Sequence, residues 1–117
     1  MRYRFILTKW FDRGVHHLRR NNPQLTQDLE NFLEHFDAEA HPVIVGTGGA
    51  RKARMKRSGR GKSGSYRVIY YLYVANTVWL ITIYDKVRQE ELTAAEKSRI
   101  RYFVTAIKEK SGDQDLE

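Results

Sequence analysis

Two strand-forming runs separated by a two-residue link constrain this chain most. Ser65 to Val74 reads SYRVIYYLYV and Val78 to Tyr84 reads VWLITIY. Both are dense in aromatic and β-branched residues, which suit a pleated and largely buried surface. Ala75-Asn76 links them and leaves no room for a crossover, so the runs must pair as an antiparallel hairpin. Whatever else the chain does, it builds a sheet around this hairpin.

The flanking segments supply the rest. Tyr3 to Leu7 reads as a first strand. Thr8 is placed to cap a helix starting near Lys9, with Trp10, Phe11, Val15 and Leu18 on its apolar side. That helix ends at Asn21, Asn22 and Pro23. Leu25, Leu29, Phe32, Leu33 and Phe36 recur at three and four, the pattern of a second amphipathic helix with Asp28, Glu30, Glu34 and Asp37 opposite. A short turn between them predicts a helical hairpin. Val43 to Val45 reads as a short strand, and Gly46 to Gly49 as a tight turn. Arg51 to Lys56 reads as a half-buried strand, with Ala53 and Met55 on one face and Lys52, Arg54 and Lys56 on the other. Ser58 to Gly64 is a glycine-rich loop. Thr93 with Glu96 forms a capping box for a last helix, striped by Ile100, Phe103, Val104 and Ile107 and reaching about Lys110.

This order predicts an α+β domain: a twisted, mainly antiparallel sheet of four to five strands, an N-terminal helical hairpin and a C-terminal helix. The helices are expected on one face, leaving the other for the cations. One domain is expected over residues 1–110, then a polar tail, 111–117, whose Leu116-Glu117 reads as an appended remnant. No cysteine is present, which excludes disulfide scaffolds, thiolate metal sites and cysteine nucleophiles. No apolar run is long enough for a membrane span, and the first ten residues carry no leader pattern, so a cytoplasmic protein without membrane contact is expected.

Charge is the next informative feature. The formal net charge is +7. From Arg51 to Arg67 stand Arg51, Lys52, Arg54, Lys56, Arg57, Arg60, Lys62 and Arg67, with no acid among them. The remainder of the chain holds 13 basic and 14 acidic residues. A near-neutral domain therefore carries one concentrated cationic segment, the footprint of a polyanionic partner. Tyr66, Tyr70, Tyr71, Tyr73 and Tyr84 lie close in sequence. Most are expected in the core, with one or two at strand ends free to meet a ligand.

Competing motifs fail on spacing. Gly61-Lys62-Ser63 ends like a phosphate loop, but Lys56 stands at the first glycine position and a strand follows. Gly46-Thr47-Gly48 opens like a dinucleotide fingerprint, but Arg51 stands where its last glycine belongs. The four histidines, His16, His17, His35 and His41, lie away from the cations, and Asp85 is the only carboxylate near them in sequence. Neither a metal site nor a cofactor is expected.

The run GTGGARKARMKRSGRGKSGSYRVIYYLYVANTVWLITIYDK, followed by a polar loop, Leu92-Thr93 and a helix, resembles the RelE/HigB group of bacterial toxins. The likeness spans about residues 43 to 108 and agrees in layout with the two-helix half before it. It implies a RelE-like fold and the toxin of a type II toxin–antitoxin system. The implied activity is a ribosome-dependent mRNA endoribonuclease that cuts without metal, the RNA 2′-hydroxyl attacking its adjacent phosphate. The implied partners are a cognate antitoxin, ribosome-bound mRNA and ribosomal RNA, with operator DNA reached only through the antitoxin. On this resemblance Lys52 is a proton acceptor or electrostatic stabiliser, and Arg54 binds phosphate. Arg67 is a solvent-facing phosphate clamp, and Tyr84 and Lys86 position substrate or transfer protons. Arg51, Lys56, Arg57, Arg60 and Lys62 hold RNA. Val87 stands where some relatives carry another base, and Asp85 places a negative charge beside Lys86. The alternative is a basic module that binds nucleic acid without cutting it, or a gyrase-inhibiting toxin of the same fold.

Overall fold

The computed structural model describes residues 2–59 and 65–116, with side chains through 110. Four strands and three helices follow the order β1 (Arg4–Leu7), α1 (Lys9–Arg19), α2 (Leu25–Glu34), β2 (Arg51–Met55), β3 (Tyr66–Tyr73), β4 (Thr77–Asp85) and α3 (Ala94–Leu116). They form one sheet in the order β1-β4-β3-β2. β2, β3 and β4 are antiparallel neighbours, while β1 lies parallel to β4. The α+β, mainly antiparallel expectation holds, with four strands.

The hairpin turns through Ala75 and Asn76, both in the left-handed region at φ 58° and 57°, the geometry whose twist matches two right-twisted strands. A bulge follows: Ile69 pairs with Thr82 and Tyr70 with Leu80, which leaves Ile81 unpaired. The local helix signals also hold. The Thr8 side chain accepts from Phe11 N (3.1 Å), and its Oγ1 donates to Ile81 O (2.7 Å), tying the cap of α1 to β4. Gly14 lets α1 press against β4, since a Cβ there would sit 2.9 Å from Ile83 Cγ2. Thr93 and Glu96 form the reciprocal capping box, at 2.8 and 3.1 Å.

Three expectations need correction. The Val43–Val45 run is not a strand. It makes one bridge, Val43 to Arg51, and Val45 is exposed. A buried Thr47 turns the chain by donating to Ile44 O (2.7 Å), and Ala50 N donates back to its hydroxyl. Second, helices cover both faces of the sheet. Phe11, Leu18 and Leu25 of α1 and α2 pack with Met55, Tyr66, Val68, Tyr70 and Leu80. Ile100, Val104 and Ile107 of α3 pack with Ile69, Tyr71 and Ile81 on the opposite face. β3 is apolar on both sides, and burying only one would leave the other wet at about 25 cal/mol per Å². Third, α3 continues to Leu116, past the Lys110 where its apolar stripe ends. Among the described residues no helix is long and apolar enough to cross a membrane.

Candidate functional site

The register of β2, β3 and β4 decides where the cations go. Ala53, Met55, Tyr66, Val68 and Tyr70 face the α1–α2 core. Alternation sends Lys52, Arg54 and Arg67 to the α3 side. Arg54 stands opposite Arg67, and Arg67 opposite Tyr84, so the three form a row across three strands. Lys52 occupies the next row, opposite Ile69. This row lies at the end of the sheet remote from the Ala75-Asn76 turn. Lys86 stands in the turn after β4, and its N–H donates to Ser65 O (3.2 Å).

Arg67 is not the solvent-facing residue expected from sequence. It is 7% exposed, and its Nη1 donates to Ser65 Oγ (2.9 Å) and Tyr66 O (3.4 Å). The ion pairs among the described residues are His16–Asp12 and Arg57–Asp85, so no carboxylate neutralises Arg67 or Arg54 there. Two arginines directly opposite each other repel, and a desolvated cation lacks the water that would screen it. An anion between the two guanidinium groups would relieve that repulsion.

Tyr84 completes the row. It is 8% exposed, and its hydroxyl is buried without a hydrogen-bond partner among the described residues. Burial pushes its pKa up from the ordinary tyrosine value; Arg67 beside it pulls back, while Glu91 and Glu96 push further up. The hydroxyl therefore stays protonated at neutral pH. A buried hydroxyl without a partner costs about 1–3 kcal/mol. Tyr84→Phe is accordingly expected to raise stability by about 1 kcal/mol in urea denaturation. A clear loss of stability would mean that the hydroxyl has a partner after all.

The remaining predicted residues divide. Lys56 is exposed, and it joins Arg54, Phe32, Phe36 and His35 around a groove of about 590 Å³ between α2 and β2. Arg51 is turned the other way and held there: its Nη1 donates to His41 O (2.6 Å) and Glu39 O (3.3 Å). Arg57 pairs with Asp85 (4.0 Å), lies over the Tyr66 ring at 5.8 Å and reaches Asn21 O. Asp85 thus meets Arg57 with one oxygen and accepts from Val87 N (3.0 Å) with the other. Arg60 and Lys62 lie outside the described residues.

Sequence reasoning missed a buried polar network at the edge of this site. Asp28 is 5% exposed and accepts from Ser58 N (3.2 Å), from Ser58 Oγ and from Asn22 Nδ2 (3.4 Å). Asn22 Nδ2 also donates to Tyr66 Oη (2.9 Å). The network fastens the end of β2 and the start of β3 to the helical hairpin. Nothing local in the sequence marks it, because its partners are 30 and 44 residues apart.

With this geometry in hand, comparison with known families is decisive. Residues 3–117 match the family model described as the RelE toxin of the RelE / RelB toxin–antitoxin system. The chain belongs to the RelE toxin family. Among solved structures it is similar to a double arginine-to-alanine mutant of E. coli toxin RelE in the free state. That match has 20% identity and a TM-score of 0.48, and covers 85% of this chain and 97% of the other. In this RelE-family member the cationic row, rather than the whole run of basic residues, is the compact part of the candidate site. Arg54, Arg67 and Tyr84 stand in register across three strands with Lys52 one row away, whereas Arg51 and Arg57 direct their guanidinium groups to His41 O and Asp85.

Proposed function

We propose that this RelE-family toxin is a ribosome-dependent mRNA endoribonuclease that cleaves by attack of an RNA 2′-hydroxyl on the adjacent phosphate. The observation that carries this reading is the Arg54–Arg67–Tyr84 row: two cations without carboxylate partners beside a buried, protonated hydroxyl. Attack converts the phosphodiester into a phosphorane with added negative charge. Buried Arg67, held by its bonds to Ser65 and Tyr66, stabilises that charge as a fixed donor, which is worth more than a mobile one in water, and exposed Arg54 adds a second cation opposite it. Lys52 adds a further positive charge one row away. The 2′-hydroxyl proton leaves to a base, and the departing 5′-oxygen takes a proton, which Tyr84 is placed to give. Lys56 and Lys86 extend the cationic surface along the message.

The same reading supplies the partners. A cognate antitoxin neutralises the toxin and carries any contact with operator DNA, and the substrate is mRNA on the ribosome in the cytoplasm. The chemistry of the ends tests the reaction. Purified toxin with ribosome-bound message is expected to leave a 2′,3′-cyclic phosphate on the upstream fragment and a 5′-hydroxyl on the downstream one. Products ending in a 3′-hydroxyl and a 5′-phosphate would mean that water, not the neighbouring hydroxyl, attacks.

A further inference from the structure

Arg67 stays where elementary electrostatics would not leave it. It is a buried cation, it stands opposite Arg54, and it takes part in no ion pair among the described residues. Desolvation and the like charge both push a long, flexible side chain in that position toward water. Two oxygens hold it instead. Nη1 donates to Ser65 Oγ at 2.9 Å and to Tyr66 O at 3.4 Å. The first has the length of a good charge-assisted hydrogen bond, and the second lies beyond the usual range. The Ser65 hydroxyl is therefore the principal restraint on the guanidinium.

Ser65 is itself well anchored. It is 3% exposed and immediately precedes β3. Its carbonyl accepts from Lys86 N, which ties it to the turn after β4. Residues two apart on an extended chain point the same way, which brings its hydroxyl beside Arg67. A short side chain on a pinned backbone makes a stiff support. Both bonds of Arg67 end on one nitrogen, Nη1. They fix the plane of the guanidinium, and its Nη2–Nε edge makes no hydrogen bond among the described residues. That edge is a planar fork of the kind that grips a phosphate.

We infer that Ser65 is a positioning residue of the site, its Oγ aiming the Arg67 fork at the reacting phosphate. The inference rests on the endoribonuclease reading. Ser65 acts only through Arg67, so its contribution disappears when Arg67 is removed.

The test compares wild type, Ser65→Ala, Arg67→Ala and the double variant in single-turnover cleavage of ribosome-bound message. Ser65→Ala is expected to lower the cleavage rate constant about 30-fold, because a small misplacement of a catalytic group is felt in the transition state. Affinity for the message is expected to stay within about twofold. In the Arg67→Ala background the same change is expected to cost less than about twofold, whereas a purely structural role would cost the same in both. A second measurement uses the wild-type fold. In ¹⁵N NMR the Arg67 guanidinium, identified by its loss in Arg67→Ala, is expected to show separate Nη1 and Nη2 signals, the mark of hindered rotation. A single averaged Nη signal would overturn the inference. So would a Ser65→Ala rate within about twofold of wild type, or an equal loss in the Arg67→Ala background; in these cases the endoribonuclease reading stands. Message left intact by wild-type toxin would overturn both.

Discussion

Arg67→Ala is expected to lower cleavage of ribosome-bound message by about 10²–10³-fold, the usual loss when one fixed donor to a developing oxyanion is removed. The fold should survive the change. Arg67 is 7% exposed, but its two hydrogen bonds end on Ser65 Oγ and Tyr66 O, and it faces Arg54 rather than a carboxylate. Removing it relieves a like-charge pair and a desolvated cation, which offsets the packing lost. Activity and stability should therefore separate: a large fall in kcat/KM with a denaturation midpoint near that of wild type. Arg67→Lys keeps the charge but loses the planar fork and is expected to fall between the two. Activity of Arg67→Ala within about threefold of wild type would remove Arg67 from the transition state.

The second large effect is on stability. Asp28→Ala is expected to cost about 3 kcal/mol, because hydrogen bonds to a buried charge are worth more than neutral ones and Ser58 N–H is left unpaired. For a domain of this size that corresponds to a fall on the order of 10 °C in Tm. Asn22 keeps its bond to Tyr66 Oη, which limits the damage. Asp28→Asn retains an acceptor and should cost less. A loss below about 1 kcal/mol in calorimetry or urea titration would show that the network contributes little beyond its geometry.

Legibility of this fold in the sequence follows the range of the interactions. The β3–β4 hairpin, the Thr8 cap and the Thr93–Glu96 box are local and were all readable. The parallel pairing of β1 with β4 joins residues about seventy apart, and no local signal selects that partner. Val43–Val45 misleads because three apolar residues between Pro42 and Gly46 look like a strand, whereas the Thr47 hydroxyl bends the chain after Ile44. The two-sided cover of the sheet was visible in principle. In YRVIYYLY apolar residues fall on both faces, so a single layer of helices cannot bury it.

The candidate site shows the same division. Alternation along β2 set Ala53 and Met55 in the core, apart from Lys52 and Arg54. The burial of Arg67, and its position opposite both Arg54 and Tyr84, depend on a register that the sequence does not state. The single-file list of basic residues also hid two different roles. Arg51 and Arg57 direct their guanidinium groups to His41 O and Asp85, so charge density alone does not show which basic side chains are engaged within the fold.

The central claim is that the cationic row cuts translated messages. Induced expression in a bacterial host, with primer extension on a reporter message, tests it most directly. Wild type is compared with Lys52→Ala/Arg67→Ala. The account predicts growth arrest with new cleavage ends inside translated regions for wild type, and neither for the double variant at equal soluble expression. Arrest with intact messages, or the same cleavage ends from the double variant, would contradict it.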